Sequence, residues 1–264
     1  MLSRLLSTLI LLLASTLGVW AFLSPFFASR HDPGSMESSQ AASAPVLFLT
    51  LLALCLVVII ANLETKRMDS RWVAVLGLVV GLNSVLRMFT GPGGFNAVFF
   101  LPIVCGYVLG ADFGFLVGAL SILVSAFLTS GVGPWLPFQM FATGWSGMVA
   151  GWLPRLPKRI ETPALALWGA LSGYGVGAIM NLWFWPYLAV PDAGPPGSAM
   201  HWAPGVGLAQ TLRRYSIFYF TTSFWWDTAR AAGNVAILLA VAPPVIRLLR
   251  RFQDRFHFWI ETLQ

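Results

Sequence analysis

Eight apolar runs, separated by short polar or turn-forming stretches, organise this chain at about 5–27, 45–63, 72–89, 97–109, 113–129, 137–153, 163–189 and 217–246. Most are apolar on every face over roughly 17 to 25 residues, the length that crosses a bilayer as a helix. Barrel strands would instead alternate apolar and polar with a period of two. Helices satisfy their own backbone groups in lipid, so each run predicts a transmembrane helix. The fourth run has only about 13 residues, roughly 20 Å at helical rise. It must borrow Gly110 and its neighbours, or tilt in a thinned region. The first run ends in bulky Phe26 and Phe27 rather than small cleavage-site residues, and reads as a retained helix rather than a signal peptide.

Composition agrees. The 264 residues are 57% apolar and 10% charged, with a mean hydropathy of +0.75. That leaves too little polar surface to cover a water-soluble globule of this size. The expected fold is an all-α polytopic membrane protein of about eight spans. Cys55 and Cys105 lie inside apolar runs without CxxC spacing, which suggests neither a disulfide framework nor a metal site.

The basic residues orient the spans. With a cytoplasmic N-terminus, Arg4, Lys66, Arg67, Arg71, Arg155, Lys158, Arg159, Arg247, Arg250, Arg251 and Arg255 all fall on the cytoplasmic side. Arg30, Arg213 and Arg214 fall outside, and Arg87 and Arg230 lie in spans or at their edges. This asymmetry places both termini in the cytoplasm of a multi-pass cell-membrane protein. The formal charge of +6 then reports topology and gives no reason to expect nucleic acid. The chain divides into an N-terminal helix pair (1–63) with an external linker (29–44), a six-helix core (72–248) and a basic cytoplasmic tail (249–264).

The two long external loops differ. The 29–44 segment is polar, small and aperiodic, as in a flexible tether. The 190–205 segment carries four prolines with His201 and Trp202. That loop is a candidate cover, and after it VGLAQTLRRYS predicts a short amphipathic helix at the outer interface, for which an interfacial anchor with no ligand role is the plainer reading.

Small residues recur at a spacing of four: Gly77 and Gly81, Gly114 and Gly118, Gly147 and Gly151, and Gly169, Gly173 and Gly177. Each set makes a groove where another backbone can approach, inside the fold or from a partner. Polar residues within apolar helices are costly and so informative. Asn83 and Arg87 share a face of the third span, and Gln139 opens the sixth after a Gly-Pro turn. Asn181 precedes Trp183, Phe184 and Trp185, while Asp227, Arg230 and Asn234 follow Trp225 and Trp226. All but Asn234 lie in the outer halves of their helices, which would build an outward-facing cavity with polar anchors and aromatic walls. Plainer readings compete. Asp227 and Arg230 can simply neutralise each other, Arg87 can snorkel to headgroups, and the tryptophans can form interface belts.

Catalytic constellations are missing. His31, His201 and His257 fall outside the spans, and no GxxxxGK[ST] loop occurs. The sequence therefore argues against an enzyme and implies no cofactor.

From Trp72 to Arg159 the chain runs through a helix of FLPIVCGYVLG type, a tight GADFG turn, the helix FGFLVGALSILVSAFL, and a Gly-Pro turn into GPWLPFQMFATGWSGMVAGWLP. In this order the elements resemble the substrate-binding S component of energy-coupling factor (ECF) vitamin transporters. The resemblance covers about 90 residues. It implies a six-helix core that captures a vitamin or precursor on the outer side and works with a membrane T subunit and two ATPase subunits. Ala74, Gly77 and Gly81 match the T-contacting position, although the common AxxxA pattern is not literally present. The loop TGPGGFN (90–96) would gate the site. The extra N-terminal pair and the Pro-rich loop depart from the pattern.

The expected ligand contacts are Asn83, Arg87, Asn96, Gln139, Asn181, Trp185, Trp226, Asp227 and Arg230. Cobalamin or a precursor is the first expectation for the ligand, with riboflavin, thiamine-like and queuosine-like compounds as competitors. Two other readings are a self-sufficient proton-coupled carrier using Asp227 beside Arg230, and a non-transporting membrane scaffold.

Overall fold

Lipid offers no hydrogen bonds to a backbone, and the chain answers with helices throughout. In the computed structural model, residues 2–27, 36–64, 70–129, 131–187, 200, 202 and 206–261 are described. The helices are α1 (Leu2–Leu23), α2 (Met36–Glu64), α3 (Ser70–Met88), α4 (Phe100–Leu109), α5 (Ala111–Leu128), α6 (Leu136–Ala150), α7 (Lys158–Phe184), α8 (Leu208–Thr222) and α9 (Phe224–Glu261). Short 3-10 turns occupy Ser24–Phe27, Pro92–Gly94, Ala97–Phe99 and Trp185–Tyr187. The chain is an all-α polytopic membrane protein, with seven helical segments among the described residues long and apolar enough to span.

The eighth expected span is α6, which has only 15 residues. That is short of the ~20 needed to cross a bilayer alone. Twelve of those residues are buried, so α6 is an interior helix enclosed by its neighbours. The short α4 is similar: nine of its ten residues are buried. Three boundaries also differ from expectation. The amphipathic helix runs on to Thr222, and the last span starts at Phe224. Helix α9 continues to Glu261, through most of the expected 249–264 tail. Helix α2 begins at Met36, inside the expected linker. The remainder of that linker, and most of the Pro-rich 190–205 loop including His201, lie outside the described residues.

Glycine sets how closely the interior helices approach. A Cβ on Gly106 or Gly114 would overlap the Gly147 carbonyl, and one on Gly118 would overlap the Thr143 carbonyl. So α4, α5 and α6 touch backbone to backbone, the close packing that holds helices together in lipid. A single residue, Gly110 at φ +112°, turns α4 into α5, a conformation that L side chains rarely adopt. Gly169, Gly173 and Gly177 on α7 face Leu238, Ala231 and Asp227 of α9. By contrast, none of the described residues lies within 4 Å of a Cβ placed on Gly77 or Gly81 of α3. The grooves of α5, α6 and α7 therefore serve the fold, while that of α3 faces outward.

The N-terminal pair leans on this core. Phe22 of α1 meets Phe138 edge-on at 4.9 Å, and Trp145 Nε1 donates to Ser15 Oγ at 3.0 Å. An aromatic pair of this kind adds about 1 kcal/mol beyond its buried area. At the end of the bundle where α4 meets α5 and α6 meets α7, a polar clasp closes. Buried Glu161 of α7 pairs with Arg250 of α9. Arg250 lies 6.0 Å from the Tyr107 ring centroid, and the Tyr107 hydroxyl accepts from Leu156 N at 3.0 Å.

Candidate functional site

At the opposite end, beneath the 90–96 loop, a cavity of about 280 Å³ opens between α3, α5, α6, α7 and α9. Seven of the nine expected ligand contacts line it: Arg87, Asn96, Gln139, Asn181, Trp226, Asp227 and Arg230. Costly intramembrane polar groups face inward, where they can share partners.

Arg87 builds one wall. Its Nη1 donates to Ser125 Oγ at 2.7 Å and to the Ile122 carbonyl at 3.5 Å, and its Nη2 donates to Gln139 Oε1 at 2.9 Å. The guanidinium thus ties α3 to α5 and α6 instead of extending to headgroups. Ser84 supports the same seam by donating to the Ser121 carbonyl at 3.1 Å.

Asp227 builds another wall. It is only 2% exposed, and its Oδ1 accepts from Arg230 Nη1 at 2.8 Å. The same Nη1 donates to the Gly173 carbonyl at 3.2 Å. The carboxylate fits because Gly177 has no side chain: a Cβ there would overlap it. Nearby, Asn181 Nδ2 donates to Ser223 Oγ at 2.7 Å, where α8 breaks from α9. Asn234 lies deeper and donates to the Gly169 carbonyl at 2.9 Å.

The 90–96 loop lies across α9 above these groups. Gly93 and Gly94 adopt φ +63° and +72°, which brings the loop backbone against Ala229 and Trp226. The loop closes on itself through Gly91 N donating to the Phe95 carbonyl at 2.6 Å. The Phe95 ring occupies the space over Gly233, and Asn96 faces the cavity.

Two expected contacts are elsewhere. Asn83 is fully buried behind the wall, where its Nδ2 donates to the Val98 carbonyl at 3.0 Å and pins the 3-10 turn before α4. Trp185 is 1% exposed and belongs to an aromatic cluster with Tyr215 and Phe26, its Nε1 donating to the Met200 carbonyl at 2.8 Å. It anchors α8 to the end of α7. Its aromatic character gave no means of telling this role from a cavity wall. Thr143 and Ser223 line the cavity but were not anticipated. Thr143 had a signal, since it follows Gln139 by four and shares its face. Ala74, Gly77 and Gly81 lie on α3 away from the cavity.

No His, Cys, Asp and Glu cluster suited to a metal occurs among the described residues. No family model, curated protein or solved structure matches the chain.

Proposed function

We propose that this protein captures a small solute in the cavity beneath the 90–96 loop, as the substrate-binding subunit of an ECF-type importer whose T and ATPase subunits supply the energy. One observation carries the reading. Seven polar or aromatic residues spread between Arg87 and Arg230 converge on one half-open cavity. A bundle that only had to stay folded would gain more by replacing such groups with apolar ones. The 90–96 loop lies where the resemblance expects a gate, and with cytoplasmic termini the cavity opens to the outside. The open small-residue face of Ala74, Gly77 and Gly81 is where a T subunit would dock.

The volume bears on the ligand. At about 280 Å³ the cavity sits near the lower end of small-molecule pockets, which run from roughly 300 to 1,000 Å³. That favours the compact candidates over cobalamin, for which the loop would have to open much further.

The test is purification of the full-length chain from native membranes, followed by mass spectrometry of both bound small molecules and co-purifying proteins. Recovery of a small molecule together with a T-type membrane subunit and ATPases is the expected result. A bound solute without ATPases, with uptake that collapses when the proton gradient is removed, would favour the self-sufficient carrier. The absence of both solute and ATPases would overturn the proposal.

A further inference from the structure

Capture by this cavity leaves the chemistry of the guest open, and the polar atoms of the wall narrow it. Three formally charged side chains line the space. Asp227 and Arg230 balance each other through their 2.8 Å contact. Arg87 has only neutral partners, namely Ser125, Gln139 and the Ile122 carbonyl, and no carboxylate among the described residues pairs with it. A lone cation in a low-dielectric site is expensive unless something neutralises it.

The second observation is Asp227 Oδ2. The side chain is 98% buried, Oδ1 is taken by Arg230, and Oδ2 has no hydrogen-bond partner among the described residues. The Tyr219 hydroxyl on α8 also faces this carboxylate. A buried acceptor left without a donor costs about 1–3 kcal/mol, so its presence on a cavity wall marks where a donor would be welcome. Between the Arg87 and Asp227 walls the lining mixes apolar Phe99, Ile122, Val176 and Met180 with polar Thr143, Asn181 and Ser223.

We infer that the guest is a compact organic monocarboxylate with a neutral N–H or O–H donor. Its carboxylate meets the planar fork of Arg87, the geometry guanidinium recognises best. Its donor meets Asp227 Oδ2. The donor is neutral because Arg230 already balances Asp227, so an ammonium group would add an unmatched charge. A phosphate monoester carries about −1.5 to −2 and would overshoot the single free cation. The assignment rests on the capture reading above.

The experiment uses the detergent-solubilised full-length chain and a low-molecular-mass cell extract split by ion exchange into anionic, neutral and cationic fractions. The readout is the thermal unfolding midpoint. The anionic fraction is expected to raise it by several degrees, as a ligand well above its Kd does. Methyl esterification of that fraction should abolish the shift, as should acylation of its N–H and O–H groups, whereas phosphatase treatment should leave it intact. Because these arms modify the extract, they do not depend on a variant folding. A shift confined to the neutral or cationic fraction, or one lost to phosphatase, or one that survives esterification or acylation, overturns the inference while leaving the cavity a ligand site. No shift from any fraction overturns the capture reading with it.

Discussion

The Phe95 ring occupies the notch that Gly233 leaves in α9, and this contact fixes the 90–96 loop over the cavity. Adding a side chain at 233 forces the ring out, because overpacking of this kind costs about 1–3 kcal/mol. Gly233→Val should therefore lift the loop while the buried bundle stays folded. A cysteine placed at Asn96 reports the change, since Cys55 and Cys105 are both buried. Labelling by a polar maleimide should rise severalfold in the Gly233→Val background. Equal labelling in both backgrounds would show that the contact does not hold the loop.

Arg87 joins three helices through side-chain and carbonyl bonds, so it should matter before any ligand is added. Hydrogen bonds from a charged group contribute about 1.5–3 kcal/mol. Arg87→Gln is expected to lower the thermal midpoint of the empty protein, and Ser125→Ala to lower it less. Arg87→Lys keeps the charge but cannot reach Ser125 and Gln139 with one planar fork, so it should fall between wild type and Arg87→Gln. A wild-type midpoint in Arg87→Gln would mean that the side chain spends its time in solvent or headgroups.

Gly147 and Gly77 look alike in sequence and should respond differently. A Cβ on Gly147 meets the Gly114 backbone, which cannot rotate aside as a side chain would. Gly147→Ala should cost upwards of about 2 kcal/mol. Gly77→Ala has open space and should stay within about 0.5 kcal/mol. Thermal unfolding of the isolated chain compares them directly. If the proposed importer reading holds, the double variant Gly77→Leu, Gly81→Leu should also fold and still capture a solute, yet lose the proposed T subunit on co-purification. Retained association would rule out this face as the docking site.

The Glu161 and Arg250 pair closes the other end of the bundle, with Glu161 buried and Arg250 36% exposed at its side chain. Its worth should lie between that of exposed and buried pairs, on the order of 2 kcal/mol. Glu161→Gln should lower stability by about that much, and exchanging the two charges should recover part of it. A double-mutant cycle showing no coupling would reduce the clasp to two independent side chains.

How much of this was legible in the sequence depended on what kind of signal each residue gives. Arg87, Gln139, Asn181, Asp227 and Arg230 were readable as inward-facing residues because a polar group at membrane depth must turn inward, and a cavity wall is one of few places to go. Trp185 was not, because an aromatic ring is equally at home in a packed cluster, a belt or a wall. Glycine spacing announced close approach without saying by what: Gly114 and Gly147 meet each other, whereas Gly77 meets none of the described residues. The end of α8 was placed early, although Thr221, Thr222 and Ser223 mark it. Thr221 and Thr222 donate back to the Ile217 and Phe218 carbonyls, and one residue later the helix breaks. The true length of α6 was hidden because the apolar run continues through 151–153 after the helix has ended at Ala150.

The walls of the cavity come from distant parts of the chain, Arg87 on α3 and Arg230 on α9. During synthesis the first wall enters the bilayer while the last is still on the ribosome, since chains emerge at about 5–20 residues per second. For that interval Arg87 can settle against Ser125 and Gln139 with nothing facing it. The nascent chain thus acquires the Arg87 wall before the Asp227 wall, so a chain arrested before α9 would carry only part of the cavity lining.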